Sequence, residues 1–255
     1  MNIKKFLFNF IPNKELRKKL RNKYCYNKVS LELEENSKCL VVCPHADDEL
    51  IGVGGLMLLS PKNFDVICIG SSGVPYKEIN AQERSNIRIK EFNNVMEKLG
   101  VNKFWIFETY GKGILIKQIK KHFQEYLTIL DTTQYDYIFM PVPHDRHPEH
   151  KFITNKLMKS ILKKNKFKGN CKIVFYEVWS LIPNPNCFVD ISKVINQKEE
   201  LLRLYISQHV WIDYATKTKC LNCYRGVQND NAEFSEAFYI TDIKNYLKKG
   251  YSIPL

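Results

Sequence analysis

Two short segments of this chain are dense in side chains that can bind a metal ion or move a proton. Residues 44–50 read Pro-His-Ala-Asp-Asp-Glu-Leu and residues 144–150 read His-Asp-Arg-His-Pro-Glu-His, so four of the six histidines lie there. A catalytic zinc takes about three imidazole or carboxylate ligands and keeps one position open for water. His45, Asp48 and His150 can supply that set. Asp47 and Asp48 are adjacent, so their side chains diverge; one can ligate while the other stays free to take a proton from the attacking water. In the second segment His147 can cap a following helix, Pro148 suits its first position, and His150 falls in the first turn, directed back toward the preceding strand. His147 is then close to the metal without having to bind it, a place for a group that stabilises an oxyanion or protonates a leaving amine.

Two distant segments can share one ion only if the fold brings them together. Each directly follows an apolar, β-type run, at 39–43 and 137–142. The sequence predicts strands at 38–43, 64–70, 103–107, 136–142 and 172–178, and helices at about 49–59, 79–99, 114–130 and 148–164. Such regular alternation implies parallel βαβ units. Right-handed crossovers then give a doubly wound α/β sheet with helices on both faces and a ligand site beyond the carboxyl ends of the strands. With the order 3-2-1-4-5, the first and fourth strands are neighbours at the switch point, and the two segments are their C-terminal loops. Beyond Val178 the pattern loosens into Pro183-Asn184-Pro185, a helix around 192–206, and polar, aromatic loop or strand over 209–238. This part reads as an elaboration of the same domain and a wall of its cleft.

Composition sets the outer bounds. A chain of 255 residues can bury a full core, and one domain over 31–255 after a basic leader at 1–30 is expected. Hydrophobic content of 44% with 13% aromatic residues excludes a largely disordered chain. A formal charge of +12 favours anionic company, whether phosphorylated substrate, nucleic acid or acidic membrane, without choosing among them. Of eight cysteines, Cys39, Cys43, Cys68 and Cys171 lie in apolar strand-like runs and are expected to be free and buried. Residues 6–11 are too short an apolar run for a signal-peptide core or a membrane span, so a reduced cytoplasmic compartment is expected. Cys220-Leu221-Asn222-Cys223 is an isolated C-x-x-C and reads as two loop cysteines rather than a zinc knuckle.

These motifs carry a resemblance. Pro44-His45-Ala46-Asp47-Asp48-Glu49 is similar to the P-H-P-D-D-E signature, and His147-Pro148-Glu149-His150 to the H-P-D-H signature, of the PIG-L/LmbE-like zinc-dependent N-deacetylases. Arg88-x-x-Glu91 followed by Leu99-Gly100-Val101 resembles that family's R-x-x-E helix, and Ser207-Gln208 and Glu236-Ala237-Phe238 resemble weaker C-terminal signatures. The resemblance runs from about 39 to 240. It implies a Rossmann-like three-layer α/β sandwich with a mostly parallel sheet, Zn2+ as cofactor, and hydrolysis of the acetamide of an amino sugar. Carried onto the matching positions, it implies zinc on His45, Asp48 and His150, Asp47 as general base, His147 stabilising the tetrahedral intermediate, and Arg88 binding substrate. Ala46 replaces the usual proline and removes no ligand. Glu149 replaces the usual aspartate and is one methylene longer, which alters any contact it makes to a metal-bound histidine.

Plainer readings compete with several of these assignments. An aspartate-rich segment is also what a helix N-terminus favours, and Arg88 with Glu91 is also an i,i+3 pair on a helix surface. His144 reads as a cleft-lining or surface residue, and His122 and His209 as solvated or locally satisfied. Trp179, Trp211, Tyr214 and Tyr224 read as packing aromatics before they read as a sugar platform. Gly52-Val53-Gly54-Gly55 suits close helix–sheet packing better than nucleotide binding. In the leader, Phe6, Leu7, Phe10, Ile11, Leu16 and Leu20 are interleaved with lysines and arginines. Residues 1–25 of this composition can lie peripherally on the inner face of an anionic membrane, or pack on their own domain with a solvated basic face. Membrane contact would make a lipid- or nucleotide-linked sugar of a surface-glycan pathway the natural substrate. A polyanion- or glycan-binding protein without catalysis is the rival class. It leaves the metal-capable segments unexplained, and no nucleic-acid recognition motif supports it.

Overall fold

The computed structural model describes residues 29, 31, 33–71, 79–109, 116–131, 135–164, 170–210, 212–230 and 232–248. All of the leader but residue 29 lies outside them, as does Trp211. Strands β1 (Cys39–His45), β2 (Phe64–Gly70), β3 (Lys103–Ile106), β4 (Tyr137–Pro141), β5 (Lys172–Tyr176), β6 (Cys187–Asp190) and β7 (Ser235–Asp242) form a sheet ordered β3-β2-β1-β4-β5-β7-β6. The first five are parallel, in the predicted order, and β7 runs antiparallel to both β5 and β6.

The alternation of side chains along β1 explains the layers. Cys39, Val41 and Cys43 face one core, shared with helices α1 (Asp48–Leu59) and α2 (Ala81–Leu99) through Val53, Leu56, Phe92 and Val95. Leu40 and Val42 face the other core, shared with α3 (Ile116–Asp131) through Ile119 and Tyr126, and with the helical segment after β4 through Ile153, Leu157 and Ile161. A strand buried on both faces needs an unbroken apolar run, which is what β1 has. The helices change face at the β1/β4 boundary. That boundary leaves a crevice at the carboxyl ends of both strands.

The helix predicted at 148–164 is three consecutive pieces: α4 (Pro148–Phe152), a π-helical stretch (Ile153–Met158) and α5 (Lys159–Lys164). Thr154 Oγ1, within the π stretch, donates to the carbonyl of Pro141 at the end of β4. The helix expected around 192–206 is α6 (Ile195–Arg203) and the short α7 (Ile206–His209).

The reading of 209–238 as loop or strand is corrected: α8 (Tyr214–Gln228) fills most of it, capped by Asp213, whose side chain accepts from Thr216 N at 3.1 Å. Its buried positions, Ala215, Thr218, Asn222, Arg225 and Gly226, have helical spacing but are mostly polar, so no apolar period marks the helix. Cys220 and Cys223 lie exposed on it, on a helix rather than in a loop. The four strand-run cysteines are free and buried as expected. Helix α9 (Ile243–Lys248) closes the described chain.

The glycines of α1 serve packing. A Cβ on Gly52 would come within 2.1 Å of the Tyr176 ring, and one on Gly55 within 2.5 Å of Ile191. Among the described residues, no helix is long and apolar enough to cross a membrane.

Candidate metal and catalytic site

The last residue of β1 is His45, and the turn that follows bends sharply. Asp47 has φ 123° and ψ −30°, a region that a residue with a Cβ rarely adopts and that costs of order 1–3 kcal/mol. Several buried groups hold it there. Asp47 N donates to Glu49 Oε2 at 3.0 Å, Glu49 Oε1 accepts from Tyr205 OH at 2.5 Å, and Arg88 Nη2 donates to the carbonyl of Ala46. The bend sends the two aspartates apart. Asp48 turns inward, where its Oδ2 accepts from His45 N at 2.9 Å, and Asp47 lies with Oδ1 3.6 Å from Arg88 Nη2.

The second segment leaves β4 and is pinned by a fully buried carboxylate, Asp145. Its Oδ1 accepts from His147 N at 2.8 Å and its Oδ2 from Trp179 N at 3.1 Å. His147 occupies the N-cap of α4 with Pro148 behind it, as expected. Its side chain makes no cap hydrogen bond, and its ring instead lies edge-on to that of His45. His150, in the first turn and fully buried, points back to the strand end. The register of β1 against β4 therefore joins the two segments.

Three atoms then form a small triangle. His45 Nδ1 is 3.4 Å from Asp48 Oδ2, Asp48 Oδ2 is 3.2 Å from His150 Nε2, and His150 Nε2 is 3.3 Å from His45 Nδ1. Two ligand atoms, each about 2.0–2.1 Å from a tetrahedral zinc, lie about 3.3–3.4 Å apart. The donor set and its spacing fit such an ion. His45, His147 and His150 also offer nitrogens within 4.8 Å of one another, but the triangle through Asp48 is tighter and brings an anionic ligand. His147 remains alongside, with a buried Nδ1 that has no hydrogen-bond partner among the described residues.

Carboxylates dominate the field around the triangle. Burial alone would lower the pKa of His150, but Asp48 and Asp145 outweigh it and raise it to about 10; His45 is raised in the same way, against burial, by Asp48 and Glu149. Asp48 is held well below the usual carboxylate range: His150 and His45 overcome its burial. The carboxylates thus favour positive charge at the two imidazoles, which a proton or a bound cation can supply. Burial pushes Asp47 the other way, to about 7; Arg88 opposes the rise, and Asp48 and Glu49 add to it. A carboxylate near that value is suited to general-base work at neutral pH. His147 is lowered by burial and by its two histidine neighbours, which favours the neutral ring.

The remaining contacts sort the sequence expectations. Despite its longer side chain, Glu149 accepts at 2.5 Å from His45 Nε2, the nitrogen facing away from the triangle, which is the kind of contact that fixes a ligand's tautomer. Arg88 is not on a helix surface: it is 1% exposed, and Glu91 turns away to accept from Ser207 N and Oγ at 2.8 and 2.6 Å. Arg88 Nε and Nη1 have no hydrogen-bond partner among the described residues. His209 is satisfied by the carbonyl of Leu202, and His144 is exposed with Nε2 on that of Leu181. Trp179 departs from the packing expectation. It is 45% exposed beside His147, with the rings 6.4 Å apart at 29°. Sequence reasoning gave no role to Glu49, Asp145 or Tyr205. Glu49 and Asp145 stand inside the two motif segments, whereas Tyr205 has no local signal at all.

Comparison with known proteins bears on the family and the fold. The PIG-L family, described as GlcNAc-PI de-N-acetylase, matches residues 40–161. The diacetylchitobiose deacetylase of Thermococcus kodakarensis is 26% identical over 222 residues, covering 78% of this chain and 81% of the relative. Among solved structures, the N,N'-diacetylchitobiose deacetylase of Pyrococcus horikoshii, complexed with its inhibitor MPG, superposes with a TM-score of 0.64 at 20% identity, over 91% of this chain and 94% of its own. The 4-carboxy-2-hydroxymuconate hydratase GalB of Pseudomonas putida superposes with a TM-score of 0.63 at 17% identity, over 81% and 96%. The LmbE-like three-layer fold is thus shared by proteins of more than one reaction.

Proposed function

We propose, from the match of residues 40–161 to the PIG-L family, that the chain is a zinc-dependent hydrolase. It removes the N-acetyl group from an amino sugar, free or linked to a nucleotide, lipid or glycan. The observation that carries the reading is the triangle of His45, Asp48 and His150 at 3.2–3.4 Å, with Asp47 beside it on strained backbone. His45 Nδ1, Asp48 Oδ2 and His150 Nε2 would hold the ion. When bound, a divalent cation supplies Lewis-acid polarisation of the acetyl carbonyl and makes a nearby water more acidic.

The chain's own groups do the rest. Asp47 takes a proton from the water as the water oxygen bonds to the acetyl carbon, and returns it to the nitrogen as the C–N bond breaks, leaving free amine and acetate. His147, kept neutral, offers an N–H to the developing oxyanion. Arg88 steadies the turn through Ala46 and has two nitrogens, Nε and Nη1, left for a substrate hydroxyl or phosphate. The charge of +12 suits an anionic conjugate without selecting one; the place in surface-polysaccharide or glycoconjugate synthesis rests on membrane contact by residues 1–25.

Acetate release from a panel of N-acetyl sugars, with elemental analysis of the same preparation, tests this. About one zinc per chain with acetate release is expected. Neither metal nor activity after zinc is added would sink it. Because the fold also serves a hydratase, acetate rather than metal is the deciding readout.

A further inference from the structure

The aromatic rings near the site form a series leading outward. The His147 ring lies 4.7 Å from that of His150 and 5.1 Å from that of His45; Trp179 follows at 6.4 Å from His147, nearly parallel, and Tyr214 meets the indole edge-on at 6.2 Å and 88°. A single exposed tryptophan is ordinary on a protein surface. This one is anchored: its backbone N–H is held by the buried carboxylate of Asp145, which also holds the backbone of His147. The backbone of Trp179 is thereby tied to that of His147, and its indole lies between the His147 and Tyr214 rings while 45% of the residue stays open. A pyranose has a face of C–H groups and a rim of hydroxyls, and an aromatic plane with a second ring perpendicular to it can take the face while leaving the rim wet.

We propose that Trp179 and Tyr214 form the sugar-binding shelf of the site, with the indole stacked on the C–H face of a pyranose whose acetamide reaches the His45, Asp48 and His150 cluster. The proposal rests on the deacetylase reading and adds its specificity: cyclic sugars with a flat C–H face are preferred to open-chain acetamides.

Steady-state kinetics with N-acetylglucosamine and with N-acetylethanolamine read the difference. Trp179→Ala is expected to raise KM for the sugar about five- to tenfold, with a smaller change in kcat, the least effect on the open-chain amide, and metal content retained. Trp179→Phe should recover most of the loss. If KM for the sugar does not move, or if both substrates lose kcat alike, the shelf is refuted and Trp179 is only a prop for His147. Should the native chain release acetate from neither compound, the proposed reaction fails while the shelf stays testable. With Trp105→Phe and Trp211→Phe leaving Trp179 as the one tryptophan, selectively excited at the red edge of its absorption, a saturable change in emission on titration with N-acetylglucosamine supports the shelf, and a flat titration overturns it.

Discussion

Asp47 and Asp48 carry the same carboxylate one position apart, and the backbone between them assigns opposite work. Asp48→Asn removes an anionic ligand, so metal affinity should fall, as elemental analysis after dialysis will read. Asp47→Asn keeps size and geometry but loses the base; zinc should stay while turnover falls roughly 10²–10⁴-fold. Zinc lost from the second variant and kept by the first would reverse the two roles. The acid limb of the pH–rate profile should lie at or below about 7, where Asp47 gains its charge, because a cation beside it can only lower that value. A limb well above 7 would assign it to another group. His45, Asp48, His147 and His150 were readable in the sequence because each stands in a short motif beside a strand end. Asp145 and Glu49 were not, although they sit in the same motifs. They work by accepting hydrogen bonds from backbone and from a tyrosine far along the chain, and residue type alone does not announce that.

Among the elements, strands β1, β2, β4 and β5 were legible because burial on both faces demands continuous apolar runs, and helices α2 and α3 because one face of each is apolar, whereas α1 is buried nearly all round. Helix α8 was hidden because its inner stripe is polar. Asn222 joins Lys198 and the Ser235 carbonyl, and Arg225 pairs with Glu177, so the stripe is held by hydrogen bonds rather than by apolar burial. Glu236 is the junction of this network. It accepts from Gly55 N at 2.6 Å, Leu56 N at 2.9 Å and Lys198 Nζ at 2.7 Å, tying β7 to α1 and α6. Glu236→Ala should destabilise the fold by about 3–5 kcal/mol, measured by urea unfolding, because it strands a buried ammonium and two amides. Gly55→Ala should cost about 1–3 kcal/mol through its clash with Ile191. A loss below about 0.5 kcal/mol in either variant would show that α1 shifts freely.

At the scale of the whole molecule, the sequence alone did not require the two segments to converge; the strand order 3-2-1-4-5 expected from the βαβ alternation does, and the sheet has that order. The leader lies apart from that logic. Deleting residues 1–25 should leave zinc-loaded protein and weaken its binding to anionic vesicles, with the remaining affinity falling as salt rises. Unfolding on truncation would instead make the leader part of the domain. The pairing of β1 with β4 carries one more consequence. His45 and His150 meet only when these strands are docked, so an ion that binds the triangle selects the folded chain over the unfolded one. Its binding free energy then adds to stability as RT ln(1 + [L]/Kd), about 4 kcal/mol at a thousandfold excess over Kd. Availability of the ion in the cell would thereby set how long the protein survives proteolysis, independently of how fast it turns over, and the inactive Asp47→Asn chain should gain the same protection as the active one.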